Sequence, residues 1–198
     1  GASGLTCYYY LDNLGNEVQL YVEESVAGGV LYWGIPEYRL PKEVLAKEVK
    51  AIEQSGVNIH CNVRIGEAVS FEELKNQSDA VYVAIGTQQS RTLGIPGEDL
   101  PGVENGLIFL KRIGLKQSLS VPERLVVIGG GSTAMDVART AVRLGSKEVT
   151  VVYRRTEREM PAGAEEVKEA REEGIRIITL ASPVRITEKD GAVCGIEL

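Results

Sequence analysis

Residues 125–155, LVVIGGGSTAMDVARTAVRLGSKEVTVVYRR, leave the chain little freedom in how it folds. An apolar run at 125–128 enters Gly129-Gly130-Gly131, a helical pattern follows over 132–144, and a second apolar run at 149–153 ends on Arg154-Arg155. Strand, glycine turn, helix and strand with G-x-G-x-x-A spacing make the dinucleotide-binding arrangement of a parallel α/β unit. Gly129 permits the tight turn, and Gly131 lets backbone approach a pyrophosphate without a side chain in the way. Ala134 allows the helix to pack closely on its strand. The helix start offers unpaired N–H groups and a partial positive charge to phosphates.

The tip of the second strand faces the adenosine ribose, where an acidic residue favours NAD. Two arginines stand there instead. Their planar forks suit a 2′-phosphate, so the preference read from these residues is NADP. A glycine triplet can also form a plain turn with arginines on a solvated strand end. The flanking strands and helix favour the nucleotide reading.

A chain of 198 residues allows one large or two small domains, and 43% apolar with 25% charged residues is ordinary for a globular protein. The net charge of −6 argues against a nucleic-acid partner. No apolar run reaches the ~20 residues of a membrane span. No leader peptide is recognisable, so a cytoplasmic setting is expected. Cys7, Cys61 and Cys194 show neither C-x-x-C nor cluster spacing, and buried thiols are expected. His60 has no evident nucleophile partner, so no catalytic side chain and no metal site are assigned.

Residues 1–5 open into a helix-like run over 5–14 closed by Gly15, with a strand at 17–21, resembling the second half of another glycine-turn unit with Gly1 as middle and Gly4 as last glycine. The first strand and first glycine of that unit are not present, and a piece cut from a longer protein is expected. The glycine- and proline-punctuated stretch 25–41 reads as loop rather than helix. A helix is expected over 41–55, closed by Gly56. Strands are expected at 57–60 and 62–65, a helix capped by Ser70 and Glu73, and a buried strand at 79–85. The connector 94–102 (GIPGEDLPG) puts the domain boundary at 102/103. Helices at 105–113 and 162–173, a strand at 175–180 and a hairpin over 183–198 complete the pattern.

The segments GASGL, VAGGVLYWGIPEYRLPKEV, AVYVAIGTQQSRTLGIPGEDLPGV, VVIGGGSTAMDVART and VVYRRTEREMPA together resemble the flavoprotein module shared by the glutamate synthase small subunit and dihydropyrimidine dehydrogenase, a pyridine nucleotide-disulfide oxidoreductase-like family. The resemblance implies an α/β fold of two Rossmann-like, three-layer nucleotide-binding domains. A partial FAD domain would occupy 1–102 and an NADP domain 103–198. It implies hydride transfer from NADPH to FAD, then electron transfer to iron–sulfur clusters outside this chain on a partner subunit or domain. Implied FAD contacts are Gly1, Ser3, Gly4, Gly28, Gly29, Arg39 and Ile65, with Gly86 and Thr87 at a strand end passing the flavin. Implied NADP(H) contacts are Gly129, Gly130, Gly131, Ser132, Thr133, Arg154, Arg155 and, more weakly, Arg158.

The acidic residue that usually ends the second FAD strand falls at Val22, beside Glu23. With half the FAD site absent, the isolated chain is expected to be inactive and to hold no stable FAD. An NADH-linked, ferredoxin-coupled or bifurcating relative, or a non-catalytic nucleotide-binding scaffold, are the alternatives.

Overall fold

The computed structural model describes residues 1–54, 58–117 and 120–198. It divides into two compact units, Gly1–Gln88 and Gln89–Leu198. The expected boundary at 102/103 lies further along. The stretch between clusters with the second unit, where the Ile186 N–H donates to the Pro96 carbonyl at 2.9 Å. A Cβ on Gly97 would stand 2.3 Å from the Ile186 carbonyl oxygen, so backbone meets backbone there.

In the first unit, α1 (Ala2–Asn13) leads to β1 (Gln19–Tyr21), and Gly15 makes the turn at φ +83°. α2 (Val30–Trp33) is a short helix within the stretch expected to be loop only. Its Gly29 cap leaves the backbone at φ +59°, and Trp33 is buried, so packing rather than propensity forms the turn. α3 (Lys42–Glu53) follows Pro41, presenting Leu45 and Val49 to the core. Gly56, its expected stop, lies outside the described residues, as does Val57. β2 (Asn58–His60) pairs in parallel with β1, Leu20 opposite Ile59. Residues 62–65 do not form the expected strand: Asn62 turns left-handed at φ 59°, and only an isolated Ile65–Val69 bridge remains. α4 (Phe71–Gln77) begins with the expected capping box between Ser70 and Glu73.

The expected buried strand at 79–85 is also corrected. The segment is irregular, with Tyr82 60%, Val83 57% and Ile85 75% exposed. A run that is apolar on both faces suits the middle of a parallel sheet, but β1 pairs only with β2 among the described strands. Apolar composition alone cannot supply the neighbours. The unit's core gathers Leu5, Ala27, Leu45 and Val49, with Val22 and Ile59 partly buried against them.

The second unit follows the expected pattern closely. α5 (Gly106–Gly114) is capped by Asn105, whose side chain accepts from the Leu107 N–H at 2.9 Å. β3 (Arg124–Ile128), α6 (Ser132–Arg143), β4 (Glu148–Tyr153), α7 (Ala164–Glu172) and β5 (Arg176–Thr179) form a parallel sheet in the order β3-β4-β5. α6 packs on β3 and β4, and α5 and α7 pack on α6. The core is therefore densest around α6: Met135, Ala138 and Ala141 meet Val127, Val149 and Val151. Gly106 lets α5 approach, since a Cβ there would stand 3.1 Å from Val137 Cγ2. β6 (Arg185–Lys189) and β7 (Ala192–Glu197) form the expected antiparallel hairpin, turning at Asp190 and Gly191 with φ 54° and 76°.

The cysteines depart from expectation. Cys194 is exposed, and Cys7 and Cys61 are half-buried. Burial and the nearby Glu53 raise the Cys61 thiol above its ordinary value, against a weaker backbone hydrogen bond from Ala27. No helix among the described residues is long and apolar enough to cross a membrane.

Candidate nucleotide-binding sites

In the second unit, β3 runs straight into the glycine turn. The Gly129 N–H still donates to the Val152 carbonyl at 3.0 Å, and the backbone then swings to φ +142°. A Cβ on Gly129 would meet the Ala134 Cβ at 3.5 Å, which accounts for the small residue at the end of the fingerprint. Gly131 caps α6 in extended conformation with no side-chain acceptor over the first turn. Its own Cβ would meet nothing within 4 Å. The Ala134 N–H turns back to the Gly131 carbonyl at 2.9 Å, and no side chain caps the start of the helix, an arrangement that suits an anion.

Gly130 has a different reason for being glycine. A Cβ there would lie 2.5 Å from Cδ2 of Tyr153, whose ring covers the turn from below. The Gly130 carbonyl accepts from the Ala162 N–H at 3.1 Å, so the segment after β4 returns to the same turn. Ser132 and Thr133, both exposed, stand at the helix start. The Ser132 hydroxyl donates to Glu166 at 2.9 Å, and the same carboxylate oxygen accepts from the Gly163 N–H at 2.8 Å.

Arg154, Arg155 and Arg158 follow β4 and are exposed. Among the described residues none of the three forms an ion pair. The Glu159 carboxyl is held below its ordinary pKa by hydrogen bonds from the Thr156 hydroxyl and N–H, with a smaller contribution from the Arg155 charge. A 3₁₀ turn, Glu157–Glu159, holds this segment, and Arg171 of α7 pairs with Glu157 at 2.5 Å. An open backbone cradle, an uncapped helix and free guanidinium groups fit a phosphorylated dinucleotide.

At the far end of α6, Arg139 is nearly buried, its side chain 8% exposed, and is met by Glu169 at 2.5 Å and Glu173 at 2.8 Å. Arg143 also pairs with Glu173. Burial pushes the Glu173 carboxyl upward, but hydrogen bonds from Arg143 and Arg139 outweigh it and hold it below the usual carboxylate value. This network fixes α7 against α6.

In the first unit, Gly1 meets the distant pair Gly28-Gly29. A Cβ on Gly29 would stand 2.8 Å from the Gly1 Cα, and one on Gly28 would press Leu45 at 3.0 Å. Gly28 and Gly29 both have positive φ, 127° and 59°. α1 starts at Gly1 with no side-chain cap, so this helix mouth too is lined by backbone. The Ser3 hydroxyl lies 2.8 Å from the Tyr82 hydroxyl, and Gly4 gives room to Ala84 and Leu20. Arg39 is exposed after a turn in which its N–H donates to the Pro36 carbonyl. Ile65 is half-buried, and Gly86 and Thr87 lie in the exposed segment after 79–85. Gly1, Gly28 and Gly29 are thus brought together, while Gly86, at φ +68°, has nothing within 4 Å of a Cβ position.

Val22 is absorbed by the core: it continues the β1 ladder, its N–H donating to the His60 carbonyl at 2.9 Å. The adjacent Glu23 pairs with Arg64 at 3.7 Å. Lys42 is a residue the sequence reading passed over. Its ammonium donates to the carbonyls of Leu31 at 3.3 Å and Ile35 at 2.5 Å and sits 5.8 Å from the Tyr32 ring centre. Burial lowers its pKa, opposed by Glu37. A cation in the first turn of a helix opposes the helix dipole, and that mismatch was the available signal.

Fold and sites together define a two-unit α/β protein with one glycine-lined helix mouth in each unit. Comparison with known proteins makes this specific: residues 1–197 match the pyridine nucleotide-disulphide oxidoreductase family, and the chain belongs to it. It is 40% identical over 204 residues to the NADP(+)-dependent formate dehydrogenase subunit beta of Moorella thermoacetica, covering 100% of this chain and 28% of that protein. It is 36% identical over 210 residues to the glutamate synthase [NADPH] small chain of Escherichia coli (strain K12), covering 100% of this chain and 44% of that one. The chain thus spans less than half the length of these relatives. Among solved structures, the His57Gln mutant of FprA from Mycobacterium tuberculosis superposes with a TM-score of 0.79 at 20% identity, covering 96% of this chain and 59% of that one.

Proposed function

We propose that the chain is the nucleotide-binding portion of an NADPH-dependent FAD oxidoreductase subunit of the glutamate synthase small-chain type. NADPH would be held by the second unit and the FAD pyrophosphate by the Gly1–Gly28–Gly29 cluster of the first. The observation that carries the reading is the pairing of an open backbone cradle at Gly131 with unpaired arginines on the following segment. When bound, the two cofactors supply the chemistry, a hydride passing from nicotinamide to flavin. The protein's residues bind and orient. The α6 N–H groups receive the pyrophosphate, Arg154 and Arg155 receive the 2′-phosphate, with Arg158 beside them, and Ser132 and Thr133 flank the phosphates. Gly1, Ser3 and Gly4 flank the flavin's pyrophosphate, with Arg39, Ile65, Gly86 and Thr87 as its further contacts. No acid–base side chain is needed for this transfer, since approach and orientation carry it.

Two relatives of this chain are named for NADP(+) or NADPH, which supports the same choice of nucleotide. Both are named as a subunit or chain, which supports a partner; in this reading that partner bears the electron acceptor, an iron–sulfur cluster, and the setting is the cytoplasm. The test is a calorimetric titration of the chain with NADPH and with NADH. Clear preference for NADPH is the expected result; equal affinity for both removes the 2′-phosphate assignment.

A further inference from the structure

We infer that Tyr153 is a positioning residue that fixes the spacing between the glycine turn and the arginine-bearing segment, and thereby sets discrimination for a 2′-phosphorylated nucleotide. The inference rests on the NADPH reading above and adds a specific device to it. Tyr153 is the last residue of β4 and only 9% exposed. One end of it is the floor of the cradle: its ring occupies the space a Cβ of Gly130 would need, 2.5 Å from Cδ2 and 2.7 Å from Cε2. The other end belongs to the arginine segment. Its hydroxyl donates to the Glu159 carbonyl at 2.8 Å.

Glu159 in turn closes the 3₁₀ turn, its carboxylate accepting from the Thr156 N–H at 3.1 Å and the Thr156 hydroxyl at 2.8 Å. Beyond the buried Met160, the Ala162 N–H returns to the Gly130 carbonyl at 3.1 Å. The loop carrying Arg154, Arg155 and Arg158 is therefore tied to Gly130 twice, through the Tyr153 ring and through Ala162. Long guanidinium side chains are themselves flexible, so their reach to a phosphate depends on where the loop backbone is held. The Leu180 N–H donates to the Arg155 carbonyl at 3.1 Å and Arg171 pairs with Glu157, and to these ties the Tyr153 hydroxyl adds the one that joins the loop to the floor of the cradle.

The consequence separates the hydroxyl from the ring. Tyr153→Phe keeps the floor under Gly130 and loosens the turn. Binding of NADPH and of 2′,5′-ADP should weaken roughly three- to tenfold, the range for one lost hydrogen bond, while NADH and 5′-AMP bind as before. Thr156→Ala, which loosens the same turn without touching Tyr153, should show the same selective loss. Tyr153→Leu, which removes the floor as well, should weaken all four nucleotides. A merely structural role for Tyr153 would lower the phosphorylated and unphosphorylated ligands equally in Tyr153→Phe, and that result overturns the inference. So does an unchanged NADPH affinity in Tyr153→Phe while Arg154→Ala still loses it. An unaltered chain that binds NADPH no better than NADH overturns the nucleotide reading itself, and the inference with it.

Discussion

Glu166 accepts a hydrogen bond from the Ser132 hydroxyl at 2.9 Å, which sets a carboxylate beside the helix mouth proposed to receive a phosphate. It also caps the start of α7 through the Gly163 N–H. Glu166→Gln keeps the size of the side chain and removes the charge. NADPH binding should tighten, since a like charge near the phosphates is gone and the Ser132 hydroxyl is less strongly claimed. The weaker cap should cost about 1 kcal/mol of stability, a fall of about 4–8 °C in the melting of a unit of this size. Titration and a thermal melt read the two effects in opposite directions.

Arg154→Ala should weaken NADPH by roughly 1.5–3 kcal/mol, the range for hydrogen bonds to charged groups, with little change for NADH. Titration of both nucleotides checks it. Equal losses would place Arg154 on the shared adenosine rather than on the 2′-phosphate.

Gly130 and Gly131 should respond differently to the same substitution. Gly130→Ala drives a methyl into the Tyr153 ring and should destabilise the chain by about 1–3 kcal/mol, as overpacking does. Gly131→Ala meets nothing in the protein, at an extended backbone geometry. Its melting should stay at the original value while nucleotide affinity falls. A loss of stability at Gly131 would mean that the turn's open side is not open.

Glu173 gives the second unit a pH dependence of known sign. Its folded pKa lies below the ordinary 4.5, because Arg143 and Arg139 outweigh the effect of burial. The stabilisation it contributes is complete above 4.5 and is lost as pH falls through the lower folded value. Glu173→Gln should melt at lower temperature than the original chain at neutral pH. The difference should shrink in acid, as unfolding followed by circular dichroism at several pH values would show.

The second unit was legible in the sequence nearly element by element, because each signal there is local. Apolar runs, a glycine triplet and a charged helix ended by Gly174 each settle their own segment. The roles of its glycines were less legible. Gly130 was assigned to the ligand, and the structure adds Tyr153, a residue that meets it only after a helix and a strand have intervened. Glu166 likewise reaches Ser132 from the next helix. In the first unit, Gly1 was legible as part of a second glycine turn, whereas Gly28 and Gly29 came from a resemblance, and the close approach of Gly29 to Gly1 is a long-range contact that no local pattern carries. Residues 79–85 failed because strand formation is decided by neighbours, which composition does not contain. Lys42 escaped notice because its partners are carbonyl groups, invisible in a string of side chains.

The uncovered run at 79–85 has a practical corollary. Tyr82, Val83 and Ile85 present greasy side chains on an irregular backbone outside any sheet. In the test tube such a strip behaves as adhesive: light scattering from a stock of this chain will climb with protein concentration and subside on adding mild detergent. Replacing Val83 and Ile85 by lysine would make the stock easier to keep, leaving the second unit's nucleotide titrations open to study at high concentration.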